Sequence, residues 1–303
     1  MRTPKVLLLG LALSVLAGCG TAVAAESDPR WVSAAPATSA APAPSRSTAE
    51  APAPAPTRPA RHEPAPAKPA AVPVKGPAPA RKKPAKRVPA HAGGPAGSLM
   101  RTGGAAVALT FDDGPDPVQT PRMLDLLKQK RVKATFCVVG QNVAAYPGLV
   151  RRIAAEGHTL CNHTWRHSLT LGKKKPAVIR ADLQRTNDAI RRAVPGARIS
   201  YMRAPGGNFT PAFVAAAAEL GMTSIYWQVD PRDWEHPGGE SDAAHRTKVV
   251  HAVKKHVGKG AIVLSHDYGQ PTTISAYREL IPWLQKRYRL VALPSQGLSA
   301  RAG

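Results

Sequence analysis

The chain has 303 residues, 42 lysines and arginines against 19 aspartates and glutamates, and a formal net charge of +23. Its length admits two domains, but proline and alanine are distributed so unevenly that only one segment keeps the large apolar residues a core needs. Such an excess of cations points to an anionic surface, and an export signal at the start of the chain argues against that surface being nucleic acid.

Residues 1–18 carry Arg2 and Lys5, then an apolar run over 6–16, then small residues. This is the layout of a signal peptide, too short and wrongly flanked to span a bilayer. The quartet Leu16-Ala17-Gly18-Cys19 resembles a bacterial lipobox. It predicts cleavage ahead of Cys19, lipidation of that cysteine and a membrane anchor on the outer face of the cell membrane. A small-x-small site at Ala22-Val23-Ala24 is the competing cut and would leave a secreted or wall-associated protein. Residues 19–104 hold more than half of the 31 prolines, with alanine, lysine and arginine filling most of the remainder. Such a stretch buries too little apolar surface to offset its ordering entropy, so a disordered, polyproline-like linker is expected, its cations facing anionic wall polymers.

From Ala105 the periodicity changes. Strand-like runs occupy 106–111, 134–139, 158–162, 200–203, 223–229, 261–265 and 289–293. Helical spacing fills the intervals: from Thr120 as N-cap with Pro121 at the first helical position, over 143–156 and 178–193, from Thr210-Pro211 to a glycine stop, over 242–257 and 274–287. Seven strands alternating with six helices predict an α/β domain with parallel strands over 105–295, followed by a short tail at 296–303. A (β/α) barrel is preferred to an open sheet because no glycine-rich phosphate loop follows the first strand.

The chemically distinctive residues share one phase. Asp112 and Asp113 end the first strand, His163 and His167 follow the third, Arg203 ends the fourth, Asp230 and Asp233 follow the fifth, and His266 and Asp267 end the sixth. In a parallel barrel the carboxyl ends share one rim, where such folds place their chemistry. His163 and His167, at i and i+4, can converge on one cation if their turn is helical, and a carboxylate from the Asp112-Asp113 doublet would complete two imidazoles and one carboxylate. Three protein ligands leave positions for water and substrate.

TFDDGP, HTWRH, RAPGG, DPRDW and LSHD, in that order, resemble the five motifs of the polysaccharide deacetylase family, the carbohydrate esterases (family 4) that share the NodB homology domain. The resemblance spans nearly all of the expected folded part. It implies an irregular (β/α) barrel of about seven strands, and metal-assisted removal of acetyl groups from acetylated glycans, with Zn2+ or Co2+ as the ion. Carried onto this chain, Asp113, His163 and His167 would hold the metal. Asp112 would be the general base toward the attacking water, Arg203 its partner, His266 the general acid toward the departing amine, and Asp233 the group that tunes His266. Trp234 and Leu264 resemble the walls of the acetyl pocket. Gly206 is a departure: many relatives carry an aromatic residue there, whose backbone N–H helps form the oxyanion hole, and glycine keeps the N–H while losing the aromatic lid.

Asp230 and Asp267 are read as structural. Cys137 and Cys161, on strands expected to be neighbours in an exported protein, are either a disulfide or two small buried thiols. The activity expected is N-deacetylation of a peptidoglycan- or chitin-type polysaccharide, with an O-acetyl (xylan) esterase and a catalytically inactive wall-glycan-binding domain as the alternatives.

Overall fold

The computed structural model describes residues 93–297; the expected signal peptide, Cys19 and most of the expected linker lie outside the described residues. Seven parallel strands form one sheet: β1 (Val107–Asp112), β2 (Thr135–Val138), β3 (Thr159–Asn162), β4 (Tyr201–Met202), β5 (Thr223–Ser224), β6 (Ile262–His266) and β7 (Leu290–Val291). The spatial order is β5-β4-β3-β2-β1-β6, with β7 also paired to β1. Helices α1 (Gln119–Gln129), α2 (Gly140–Ala145), α3 (Pro147–Ala155), α4 (Pro176–Ala193), α5 (Pro211–Glu219), α6 (Asp242–His256) and α7 (Pro271–Gln285) connect them. This is the irregular parallel barrel expected from the alternation of strand and helix signals.

Side-chain alternation divides the sheet into two faces. Val107, Leu109 and Phe111 of β1, Phe136 of β2 and Leu160 of β3 belong to the large apolar cluster that also contains Met123 and Leu127 of α1 and Tyr277 and Ile281 of α7. A second cluster joins Ala108, Cys137, Cys161, Tyr201 and Ile262 from the opposite parity of five strands, and it forms the inner layer. Continued toward the carboxyl ends, the same parity reaches His163 and Arg203 two residues on, and Asp112 and His266 four residues on, after Thr110 and Leu264. The buried alternation that fills the barrel therefore also delivers the polar residues to its mouth.

The domain begins earlier than the boundary expected at Ala105. Ser98 and Leu99 are buried. The Leu99 N–H donates to the Ser224 carbonyl at 2.9 Å, the Leu99 carbonyl accepts from Tyr226 N–H at 2.7 Å, and the Thr102 N–H donates to the Gly260 carbonyl. Isolated bridges pair Leu99 with Ile225 and Arg101 with Ala261, so this segment stands between β5 and β6. A composition read over tens of residues averages away Leu99, the large apolar side chain that docks it. The expected strand 223–229 is likewise shorter. Only Thr223–Ser224 joins the ladder, after which Tyr226 and Trp227 stack at 3.8 Å and Val229 bridges to Val263 of β6. The barrel is closed here by irregular backbone.

Two helix starts also differ from expectation. Thr120 is not an N-cap: α1 begins at Gln119, and Asp116 Oδ1 accepts from the Val118 and Gln119 N–H groups at 2.6 and 2.7 Å. The run expected over 143–156 is two helices, because Pro147 disfavours helical backbone at Tyr146 and opens α3 instead. Thr210 does cap α5, accepting from Phe213 N–H at 3.2 Å.

Candidate active site

Asp112 is the last residue of β1 and stands opposite His266 in the β1–β6 register. Its neighbour Asp113 leaves the strand in a left-handed conformation, φ 76°, which breaks the alternation and keeps both carboxylates at the barrel mouth. Thr164 (φ 67°) and His167 (φ 53°) are left-handed as well. The expected helical turn for His163 and His167 is therefore absent, and irregular backbone brings the two rings to 4.9 Å between centroids. Backbone of this kind costs about 1–3 kcal/mol per residue and persists where its surroundings enforce it, which is typical of functional sites.

The geometry divides the labour of the doublet. Asp113 Oδ1 lies 3.3 Å from His163 Nε2 and 3.2 Å from His167 Nε2. His163 Nδ1 lies 2.9 Å from the Arg203 carbonyl, an acceptor only, so Nδ1 carries a proton and Nε2 is the nitrogen turned toward Asp113. Asp113 Oδ1 is itself buried with no hydrogen-bond partner. Asp113 Oδ1 and the Nε2 atoms of His163 and His167 thus converge, and a carboxylate with two imidazoles is the donor chemistry of a borderline divalent ion such as zinc. Burial works against the Asp113 charge, but the facing imidazoles of His163, His167 and His266 outweigh it and hold its pKa below the usual carboxylate value.

Asp112 faces the other way. Its Oδ1 accepts from Arg203 Nη1 at 2.7 Å in a pair with both side chains almost fully buried. The same Nη1 reaches Thr110 Oγ1 at 2.8 Å, and Nη2 reaches the Tyr226 carbonyl at 3.1 Å. Arg203 is therefore fixed by β1 and by the irregular closing segment at once. Asp112 Oδ2 is left 3.6 Å from His163 Nε2, beside the Asp113 group without belonging to it.

Across the mouth, His266 Nδ1 pairs with Asp233 Oδ1 at 2.8 Å. Asp233 Oδ2 is held by the His266 backbone N–H at 2.8 Å and by Thr273 Oγ1 at 2.7 Å. Burial lowers the imidazolium pKa, but the negative charges of Asp233, Asp113 and Asp112 more than reverse this and raise it to about 10. At neutral pH His266 carries a proton to give.

Trp234, next to Asp233, is 45% exposed with the Arg232 guanidinium 4.7 Å over its ring, whereas Leu264 is buried below the rim. Gly206 is left-handed at φ 59°, and a Cβ there would come 3.0 Å from Leu169 Cδ2, so this backbone suits glycine where an aromatic residue would be strained. Asp230 Oδ1 accepts from its own loop, at Arg232 N–H. Cys137 and Cys161 are paired in the β2–β3 register and joined as a disulfide, their Cα atoms 4.1 Å apart. Thr273 and the Tyr226 carbonyl are contributors outside the motifs, and Thr110, the first residue of TFDDGP, was given no role there. Thr110 could have been found as the inner-face residue two before Asp112; the other two carry no local signal.

Asp267 is buried, accepts from Thr120 Oγ1, and leaves Oδ1 without a partner. Its carboxylate packs on Gly114, where a Cβ would sit 2.5–2.8 Å from it. Burial first, then repulsion from Asp113, Asp112 and Asp116, raises its pKa to about 7. A carboxyl whose folded pKa exceeds its unfolded one stabilises the fold fully below the unfolded pKa, and that stability is lost as pH rises through 7. In chelated protein Asp267→Asn should therefore gain melting temperature over the wild type at pH 8 compared with pH 4. A difference that stays level from pH 4 to pH 8 would contradict the raised pKa.

Comparison with known proteins agrees with this arrangement. Residues 100–225 match the family described as polysaccharide deacetylase. The chain is 41% identical over 199 residues to a chitooligosaccharide deacetylase of Bradyrhizobium sp., covering 61% of this chain and 87% of that protein. It is 36% identical over 192 residues to a peptidoglycan-N-acetylglucosamine deacetylase of Bacillus cereus, covering 62% and 85%. A solved peptidoglycan N-acetylglucosamine deacetylase superposes with a TM-score of 0.58 at 34% identity, over 67% of this chain and 90% of that one.

Proposed function

Because the chain belongs to the polysaccharide deacetylase family, we propose that it hydrolyses N-acetyl groups of a peptidoglycan- or chitin-type polysaccharide to free amine and acetate. The observation that carries this reading is the set of opposed groups at one barrel mouth: a hydrogen-bonded carboxylate, Asp112, beside the cluster of Asp113, His163 and His167, and a protonated imidazole, His266, facing them. Asp113, His163 and His167 hold a divalent ion, with zinc the best fit to the donor set. When bound, that ion polarises the acetyl carbonyl and makes water a competent nucleophile at neutral pH.

The remaining steps belong to the chain. Arg203 keeps Asp112 ionised and aimed, so that Asp112 Oδ2 takes a proton from the attacking water. The Gly206 N–H steadies the oxygen that gains charge as the carbonyl becomes tetrahedral. His266, its Nδ1 tied to Asp233, delivers a proton from Nε2 to the amine as the C–N bond breaks. Trp234 offers an exposed indole face to the sugar, and Leu264 lines the floor beneath the acetyl methyl.

Acetate released from peptidoglycan, chitooligosaccharides and acetylxylan by the full-length protein, with and without chelator, tests this reading. The amide substrates should be turned over and acetylxylan hydrolysed less well; preference for acetylxylan would make the protein an O-acetyl esterase. His266→Ala should lose about 10²–10⁴-fold in kcat, with the greater loss on amides, whose leaving amine needs the proton. The His266 proton is present at low pH and lost as pH rises, so kcat should fall on the alkaline side, and Asp233→Asn should move that limb to lower pH. An alkaline limb unmoved by Asp233→Asn would remove His266 from the role of acid.

At the start of the chain, the lipobox-like Leu16–Cys19 stretch supports a lipid anchor on Cys19, with the proline-rich residues beyond it as tether. Fractionation of a bacterial host expressing the wild type and Cys19→Ala should place the first in the membrane and release the second. Wild type recovered from the medium beginning at Ala25 would defeat the anchor.

A further inference from the structure

We propose that His236, Glu240 and His245 form a second metal site, distinct from the Asp113 group, that takes zinc or a similar borderline divalent ion. Ligand atoms of the three lie within 4.8 Å of one another. They come from the loop between β5 and β6 and from the first turn of α6. Gly239, left-handed at φ 82°, and the Glu240 N–H bond to the Pro237 carbonyl fold this loop back on itself.

The hydrogen-bond count at His245 carries the inference. Its ring is fully buried, with Nε2 at 3.0 Å from the Asp233 carbonyl and Nδ1 at 2.8 Å from Glu240 Oε2. Both neighbours only accept, and a neutral imidazole has one N–H. With that hydrogen committed to the Asp233 carbonyl, the Nδ1 lone pair faces a carboxylate, and something positive must stand between them. A proton would serve for His245 and Glu240 alone. A cation also accounts for His236, whose ring lies 4.5 Å from that of His245.

The Nε2–H bond to a backbone carbonyl is the usual way a ligating histidine is oriented, leaving its other nitrogen for the metal. Metal–ligand bonds of about 2.0–2.1 Å at a tetrahedral angle separate neighbouring ligand atoms by about 3.3 Å, so Glu240 has to move by roughly 0.5 Å. Glu240 is partly exposed, and Lys248 approaches only its other oxygen, Oε1, at 3.9 Å. Asp242, largely exposed, pairs with His236 Nε2 at 3.5 Å on the outer side of the group.

The site differs from the catalytic group in its connection to the chemistry. His245 touches the backbone of Asp233, whose side chain holds His266, so an ion here fastens the loop whose Asp233 orients the general acid. His236, Glu240 and His245 are positioning residues and touch neither substrate nor reacting atoms.

Zinc added to chelator-stripped, full-length protein, with bound metal counted after desalting, tests the proposal. The wild type should retain one more equivalent than His236→Ala or Glu240→Gln. Asp113→Ala should retain one equivalent at the second site, lost in Asp113→Ala/His236→Ala. In the Asp113→Ala background zinc should raise the melting temperature, and adding Glu240→Gln should abolish that rise. His236 and Glu240 are not buried, so these variants should keep the fold, which circular dichroism checks. Equal metal in the wild type and His236→Ala, or none in Asp113→Ala beyond that of the double variant, would overturn the site.

Discussion

Asp113→Ala should strip the ion from the catalytic site and take acetate release to background. Asp113 Oδ1 is the atom both imidazoles face, at 3.3 and 3.2 Å, and it has no other hydrogen-bond partner. Removing it leaves two neutral imidazoles, which cannot balance the charge of a divalent ion. Fold should survive better than function, because the substitution deletes a carboxylate that burial disfavours and replaces left-handed aspartate by alanine at a cost of about 1–2 kcal/mol. The loss should be one metal equivalent per chain, with activity gone at every zinc concentration tried. Turnover at the wild-type rate in verified metal-free protein would remove the ion from the mechanism.

Asp112→Asn should produce the opposite pairing of results, full occupancy of the Asp113 site with kcat lowered about 10²–10⁴-fold, the range general-base catalysis supplies. The amide keeps the shape and one oxygen for Arg203 but cannot accept a proton from water. It also leaves a buried guanidinium without its counter-charge, and breaking a buried pair from one side typically costs about 3–5 kcal/mol. The measurement therefore needs metal content and melting temperature alongside rate. A folded, metal-loaded Asp112→Asn of wild-type activity would return the base role to another group.

The legible part of this site was the part that follows strand phase. Asp112, Arg203 and His266 sit where buried runs end, and the alternation that hides Ala108, Tyr201 and Ile262 carries them inward. The His163–His167 spacing was also visible, but its cause was not: convergence depends on left-handed Thr164 and His167, where an i, i+4 spacing suggests a helix. Thr120 shows the same limit. Its position before Pro121 is that of a cap, yet its hydroxyl is taken by Asp267, 147 residues away, and Asp116 does the capping. Leu99 was hidden in a polar, glycine-rich stretch whose docking partners, Ser224 and Tyr226, are more than a hundred residues distant. Local pattern reports a residue's own element; it does not report which remote group will claim its side chain.

That docking of Leu99 bears on how the protein can be handled. The segment first meets Ser224, Ile225 and Tyr226 at the end of β5 through Leu99, and then reaches Gly260 and Ala261, at the amino end of β6, through Arg101 and Thr102. A chain trimmed to start at Ala105 forfeits the hydrogen bonds of Leu99, Met100 and Thr102 and uncovers backbone between β5 and β6. Bare strand edges pair with whatever chain they meet, so a fragment cut there is set to self-associate even with every catalytic residue in place.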